Sequence, residues 1–234
     1  MLYVFCYILI TMQFIPTILT TNKEDFEKQI LLFPKHFSRI QLDVADGILV
    51  SNVTTQIPEM VKILATHYSL LTTCVFDFHL MVKDFNRAIA DIIKFSQYGQ
   101  VGAVLINISL SPNLDKLTQQ YPAFSFGLDV NPDVTIRQIF KKYDINLINN
   151  IQLMSVYPGF QGAPFIPNVL NKVEQLRKSG YKDKIFMDGG INDKTLPVIL
   201  SKKFVPDFLC IGSYLTRSGA QLASRLKYLR SLEK

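Results

Sequence analysis

The chain has 234 residues, 48% of them hydrophobic and 19% charged. That length suits one barrel-sized domain with a sizeable core, and the composition excludes general disorder. The net charge of +6 comes from Lys and Arg spread along the chain, with no basic run interleaved with aromatics. Nucleic acid is therefore not an expected partner, whereas a mildly basic surface suits an anionic metabolite.

Residues 1–22 carry no charged side chain. A secretory signal begins with a basic region, and none is present. Thr11, Gln13, Pro16 and Thr17 interrupt the apolar run, so no membrane partner is expected, although a membrane-associated segment is the alternative. Residues 1–11 are read as an apolar N-terminal extension, with Met12 an alternative start, and residues 12–234 as a single barrel. Cys6, Cys74 and Cys210 are odd in number and widely spaced, which predicts free thiols and a cytoplasmic location.

From the first strand onward, short β-branched and aromatic runs alternate with stretches of helical period. A strand is predicted over Phe14–Leu19, followed by a helix over Glu24–Leu32 that Thr20, Thr21 or Asn22 can cap. Strand Arg39–Val44 precedes helix Pro58–Thr66, and strand Thr73–Leu80 precedes helix Asp84–Ser96. Next come Val101–Ile108 with Leu114–Tyr121, and Ala123–Val130 with Thr135–Tyr143. The last three pairs are Leu147–Val156 with Pro167–Lys178, Lys184–Met187 with Asp193–Lys203, and Asp207–Ile211 with Ser218–Leu232. Eight strict alternations predict an α/β fold with a parallel sheet, a (β/α)₈ TIM barrel rather than an open doubly wound sheet.

In such a barrel the site lies where strands exit. Strand two ends in Gln41-Leu42-Asp43-Val44-Ala45-Asp46-Gly47, and its period of two puts Gln41 and Asp43 on one face. Asp77 and His79 share a face of strand three, and strand seven delivers Asp188-Gly189-Gly190. Asp43, His79 and Asp188 are thus expected at one rim, with Gln41 and Asp77 nearby. Two carboxylates and an imidazole there can hold a divalent cation or act as an acid/base pair. Taken singly, an Asp at a strand end is more often a cap; joint occurrence favours function. His36 and His67 precede strands, at the opposite face, and are read as structural. Glycines stand after strand six (Gly159, Gly162), strand seven (Gly189, Gly190) and strand eight (Gly212-Ser213), where backbone N–H groups can approach an anion.

Together these residues resemble the ribulose-phosphate 3-epimerase family over nearly the whole chain from Met12. The resemblance rests on Pro16-Thr17-Ile18-Leu19, Leu42-Asp43-Val44-Ala45-Asp46-Gly47 and His79-Leu80-Met81-Val82. Its most specific stretch is Met154-Ser155-Val156-Tyr157-Pro158-Gly159-Phe160, followed by Asp188-Gly189-Gly190-Ile191 and Gly212-Ser213. It implies interconversion of ribulose and xylulose 5-phosphates by two-base proton transfer with Asp43 and Asp188, within carbohydrate metabolism and the pentose phosphate pathway. It also implies a divalent metal (Zn, Fe, Mn or Co) on Asp43, His79, Asp188 and position 41. Gly159, Gly162, Gly189, Gly190, Gly212 and Ser213 would hold the phosphate, and Thr17, Met81 and Met154 would contact substrate. Homo-oligomers are common among such barrels.

The departures lie close to this site. Gln41 stands where the family has a metal-binding His, Ala45 where Met is usual, Thr17 where Ser is usual, and Asn107 where His is common. Gln41 gives the alternative function: a non-catalytic sugar-phosphate-binding barrel that has lost metal affinity. A hexulose phosphate is an alternative substrate, since Ala45 can widen the pocket. An aldolase or decarboxylase would want a lysine at a strand exit, and Lys184 lies at the wrong end.

Overall fold

The computed structural model describes residues 12–67, 73–157 and 162–233. The extension 1–11, Cys6 and Gly159 lie outside the described residues. Eight parallel strands close on themselves in chain order, each bonded to the next and β8 to β1. They are β1 (Gln13–Ile18), β2 (Arg39–Ala45), β3 (Val75–Met81), β4 (Gln100–Asn107), β5 (Ser125–Val130), β6 (Asn150–Met154), β7 (Lys184–Asp188) and β8 (Phe208–Ile211). The helices are α1 (Lys23–Leu32), α2 (Ile57–His67), α3 (Phe85–Phe95), α4 (Leu114–Gln120), α5 (Ile136–Lys142), α6 (Leu170–Lys178), α7 (Leu196–Leu200), α8 (Ser213–Thr216) and α9 (Leu222–Leu232).

Helix starts follow the cap chemistry of the sequence. Asn22, Asp84 and Asn113 each accept the N–H of the third residue on, from Asp25, Arg87 and Lys116. Thr135 and Gln138 form a reciprocal capping box on α5. The expected helix over 193–203 shrinks to α7. Pro197 supplies no N–H near its start, and the side chain of Asn192 holds the N–H groups of Lys194 and Thr195 in a turn instead. The expected helix from Ser218 begins with a 3₁₀ turn over Gly219–Gln221 and becomes α9 only at Leu222, and a further short helix precedes it. The short α8 follows β8 directly, and Gly219, at φ +51°, breaks it from α9.

Strand alternation sorts side chains into two compartments. Ile40, Leu42, Val44, Phe76, Phe78, Leu80, Leu128 and Val130 point outward into the core beneath the helices, where Phe95 of α3 meets Phe76 and Phe78 edge-on at centroid distances of 5.4 and 4.9 Å. The opposite set fills the barrel. Its lower layer is apolar, with Ile15, Ala103, Leu105, Phe186, Phe208 and Cys210.

Arg39, at the entry of β2, closes the floor. It donates from Nε and an Nη to both oxygens of the fully buried Asp77, at 2.6 and 2.7 Å, and its guanidinium lies 4.5 Å from the Phe208 ring centre. Asp77 also accepts the Ala103 N–H, where the β3–β4 register shifts and Gly102 leaves room for the carboxylate. Asp77 therefore sits two residues, or about 7 Å, below His79 rather than at the rim. Removing one partner of a buried pair strands the other charge. Arg39→Met should cost about 3 kcal/mol in urea unfolding, and adding Asp77→Leu should restore much of that. Simple additivity of the two changes would show that the pair is not coupled.

Candidate active site

The upper half of the barrel interior is polar. Gln41, Asp43, His79, Asn107, Asp129, Gln152 and Asp188 are all buried. One cleft opens at the strand exits above them, lined by Thr17, Asp43, His79, Met81, Met154, Gly162, Asp188, Gly189, Gly190, Gly212 and Ser213 together with Leu19, Val156, Ala163 and Ile191. The structure thus gathers every expected site residue it describes at one mouth, with Gln41 immediately beneath. Ala45 is buried but is not part of that lining.

Asp43, His79 and Asp188 each offer a ligand atom, and these atoms lie within 4.8 Å of one another. His79 Nδ1 is 3.3 Å from Asp43 Oδ1 and 3.7 Å from Asp188 Oδ2. A buried set of two carboxylates and one imidazole suits a divalent cation, because it gathers negative charge that no other described group neutralises fully. Gln41 bridges the two acids: its Nε2 donates to Asp43 Oδ1 at 3.1 Å and to Asp188 Oδ2 at 3.0 Å. Its carbonyl oxygen accepts from the Cys210 thiol at 3.3 Å. In this orientation Gln41 offers the acids two N–H groups, and presenting its carbonyl to a cation would require rotating the amide.

Burial and then the charge of Asp43 raise the carboxyl of Asp188 to about 8, against the opposing pull of His79 and Gln41. Burial alone would lower the pKa of His79, but the charge of Asp129 and the bonds to Asp129 and Asp43 outweigh it and hold the imidazole well above its ordinary value.

The glycine turn after β7 is fixed by hydrogen bonds from a single buried serine. Ser155 N–H donates to the carbonyl of Asp188 at 2.7 Å, and its hydroxyl to the carbonyls of Asp188 and Gly189. Gly189 (φ +113°) and Gly190 (φ +65°) take left-handed backbone, and a Cβ on either would strike Val156 or Phe165. Asp46 caps the β2 exit by accepting from Ile48 and Leu49, and ties it to the β3 exit through Lys83 N–H. Away from the mouth, His67 pairs with Glu27 of α1 at 2.8 Å, the structural role expected of it.

Asp129 and Gln152 were not singled out by the sequence reading, and Cys210 only as a free thiol. The signal for Asp129 was present, as a charged residue at the inward parity between outward Leu128 and Val130.

The fold and this cleft define a parallel (β/α)₈ barrel with a buried acidic site at its C-terminal mouth. The chain matches the sequence model of the ribulose-phosphate 3 epimerase family over residues 13–216, and it belongs to that family of isomerases. It is similar to the ribulose-phosphate 3-epimerases of Bacillus subtilis (28% identity over 170 residues; 69% of this chain, 72% of that one) and Serratia marcescens (33% over 160; 65% and 70%). That of Escherichia coli K12 is 31% identical over 160 residues, 65% of this chain and 66% of that one. Among solved structures, the tryptophan synthase A-subunit of Pyrococcus furiosus superposes with a TM-score of 0.64 at 12% identity, covering 95% of this chain and 98% of that one. That likeness is one of fold alone. Among the described residues, no helix is long and apolar enough to cross a membrane.

An imidazole is a stronger donor than an amide for borderline metals. Gln41→His should therefore raise Co²⁺ affinity by about tenfold or more in a competition titration, by the scale on which ligand-shell changes act. Unchanged affinity would mean that position 41 stands outside the coordination sphere.

Proposed function

We propose that this chain catalyses the epimerisation of a ketose phosphate at C3, interconverting ribulose 5-phosphate and xylulose 5-phosphate. The observation that carries the reading is the convergence of Asp43 from β2 and Asp188 from β7 on one cleft, beside three glycine loops. β1 and β8 separate those strands on the barrel wall, so the two carboxylates approach the cleft from different sides. Inversion at a carbon needs that arrangement. One carboxylate takes the C3 proton, leaving the electron pair delocalised over C2 and C3 as an enediolate. The other carboxyl returns a proton to the opposite face, and the protonation states of the two groups are exchanged.

Either carboxyl can be the acid while the other is the base, the roles exchanging with the direction of the reaction. Gln41, donating to both, fixes the distance between them and stabilises whichever is ionised. A divalent cation on Asp43, His79 and Asp188 would supply charge stabilisation for the oxyanion that develops as the proton leaves. Zn, Fe, Mn and Co all suit this donor set. Gly162, Gly189, Gly190, Gly212 and Ser213, with Gly159, would bind the phosphate through backbone N–H groups and a hydroxyl. Thr17, Met81 and Met154 would pack against the carbon chain, anchored away from the reacting centre. A cytoplasmic site of action fits the free buried thiols Cys74 and Cys210.

Purified protein should bring either pentulose phosphate to the same equilibrium mixture and should exchange the C3 hydrogen with solvent deuterium. Asp43→Asn and Asp188→Asn should each lower kcat by about 10²- to 10⁴-fold, the worth of a positioned acid or base. Binding of ribulose 5-phosphate without exchange, with every one of the four metals added, would leave the non-catalytic alternative in its place.

A further inference from the structure

We infer that Arg217 completes the anion cradle of the cleft: its guanidinium binds the phosphate of a ketose phosphate and selects for the charged end of the substrate. The inference rests on the ketose-phosphate reading above and adds to it a side chain that stands beyond the glycine turns.

The charge balance of the cleft calls for such a group. A phosphate monoester brings a charge of about −1.5 to −2 at pH 7. Asp43 and Asp188, buried in the same cleft, oppose that charge rather than offset it. Among the described residues that line the cleft there is no Lys or Arg. His79, the one base in the lining, is already shared by Asp43, Asp129 and Asp188. Backbone N–H groups and the Ser213 hydroxyl can accept a phosphate's hydrogen bonds, but they carry no net charge. The helix α8 is a single turn of four residues, too short to add much of a macrodipole.

The fold brings Arg217 to this place. It follows α8 directly, and its backbone N–H donates to the Ser213 carbonyl at 3.1 Å, so the two residues lie one turn apart on the same face. Side chains on a helix lean toward its N-terminus, here toward Gly212-Ser213. The far end of the side chain confirms the direction: Nη1 would lie 3.5 Å from a Cβ on Gly162, in the loop after β6. Arg217 thus runs from the β8 exit to the β6 loop, both of which border the cleft. It also lines a neighbouring groove, and Leu19 is common to the two, so the guanidinium stands on the wall between them.

The guanidinium is uncommitted. Among the described residues it has no side-chain hydrogen bond, ion pair or ring contact. Asp25 borders the same groove but is bonded to Asn22 and Lys28. Other arginines are held: Arg39 by Asp77, Arg177 by Asp207, and Arg225 by the Tyr214 carbonyl and Gln221. The planar fork of Arg217 is therefore available, and its geometry matches two phosphate oxygens at once.

The test uses the full chain. Inorganic phosphate and ribulose 5-phosphate are titrated calorimetrically into wild type, Arg217→Ala, Arg217→Lys and Lys23→Ala. Lys23, exposed at the start of α1, carries the same charge at the same end of the barrel but lies outside the cleft lining. Arg217→Ala should bind both ligands about tenfold more weakly, as loss of a hydrogen bond to a charged group predicts. Arg217→Lys should recover part of that loss, since it keeps the charge without the fork. Lys23→Ala should stay within twofold of wild type, and the ligand-free melting temperature of Arg217→Ala should be unchanged. Affinity of Arg217→Ala within twofold of wild type for ribulose 5-phosphate would overturn the inference. So would an equal loss in Lys23→Ala, which would mark the effect as one of long-range charge. Turnover in the same samples separates the two readings. An active wild type whose KM is unmoved by Arg217→Ala refutes only the role of Arg217, whereas Arg217-dependent binding without turnover refutes the epimerase reading and leaves the cradle standing.

Discussion

The burial of like charges round a single imidazole is the constraint on which this site depends. Asp43, Asp129 and Asp188 crowd His79 inside a closed sheet. Three carboxylates in such a volume repel one another strongly. Burial and then the charge of Asp43 raise the pKa of Asp188, and the two N–H groups that Gln41 gives to the acids answer that repulsion. A cation among Asp43, His79 and Asp188 would answer it too. The same crowding makes the cleft apt for chemistry in which negative charge appears on a substrate and a proton changes places.

The rest of the fold supports this arrangement by separating it from the other buried charges. Arg39 and Asp77 neutralise each other at the floor, where the Arg39 guanidinium lies against the Phe186 and Phe208 rings. The glycine turn after β7 stays in place because Ser155 ties the β6 exit to the β7 exit. Rigid strands therefore carry the reacting groups, while backbone amides of the loops line the side of the cleft where a phosphate would dock.

Much of this was legible in the sequence, for a simple reason. Period-two alternation and strand exits are local properties, so the eight strands and the convergence of Asp43, His79 and Asp188 could be read from short windows. The helix ends were read less well where one residue overrode the period: Pro197 shortened α7, and Gly219 divided the last helix from α8. Asp77 was expected near the rim because parity fixes the face but not the depth, and depth separates the floor pair from the site. Asp129 was passed over because its partner is two strands away. Its contacts, with Asn107 on β4 and His79 on β3, join strands that no single stretch of chain contains. Gln41 posed a different problem. Its identity was plain, but which end of the amide faces the acids depends on Cys210, on the far side of the barrel closure.

The residues at two expected departures, Gln41 and Asn107, both bear on the buried acids. Gln41 gives up an imidazole and supplies N–H groups; Asn107 holds Asp129, and Asp129 reaches the remaining imidazole. The charge balance of the site is thus redistributed within the barrel rather than lost. The most direct test of the account is a crystal structure with a ribulose 5-phosphate analogue that cannot lose its C3 hydrogen. The account predicts the carboxylates of Asp43 and Asp188 on opposite faces of C3, each within about 3–3.5 Å as a near-attack geometry requires, and the phosphate against Gly190 and Gly212-Ser213. Both carboxylates on the same face, or a sugar chain lying clear of them, would contradict it.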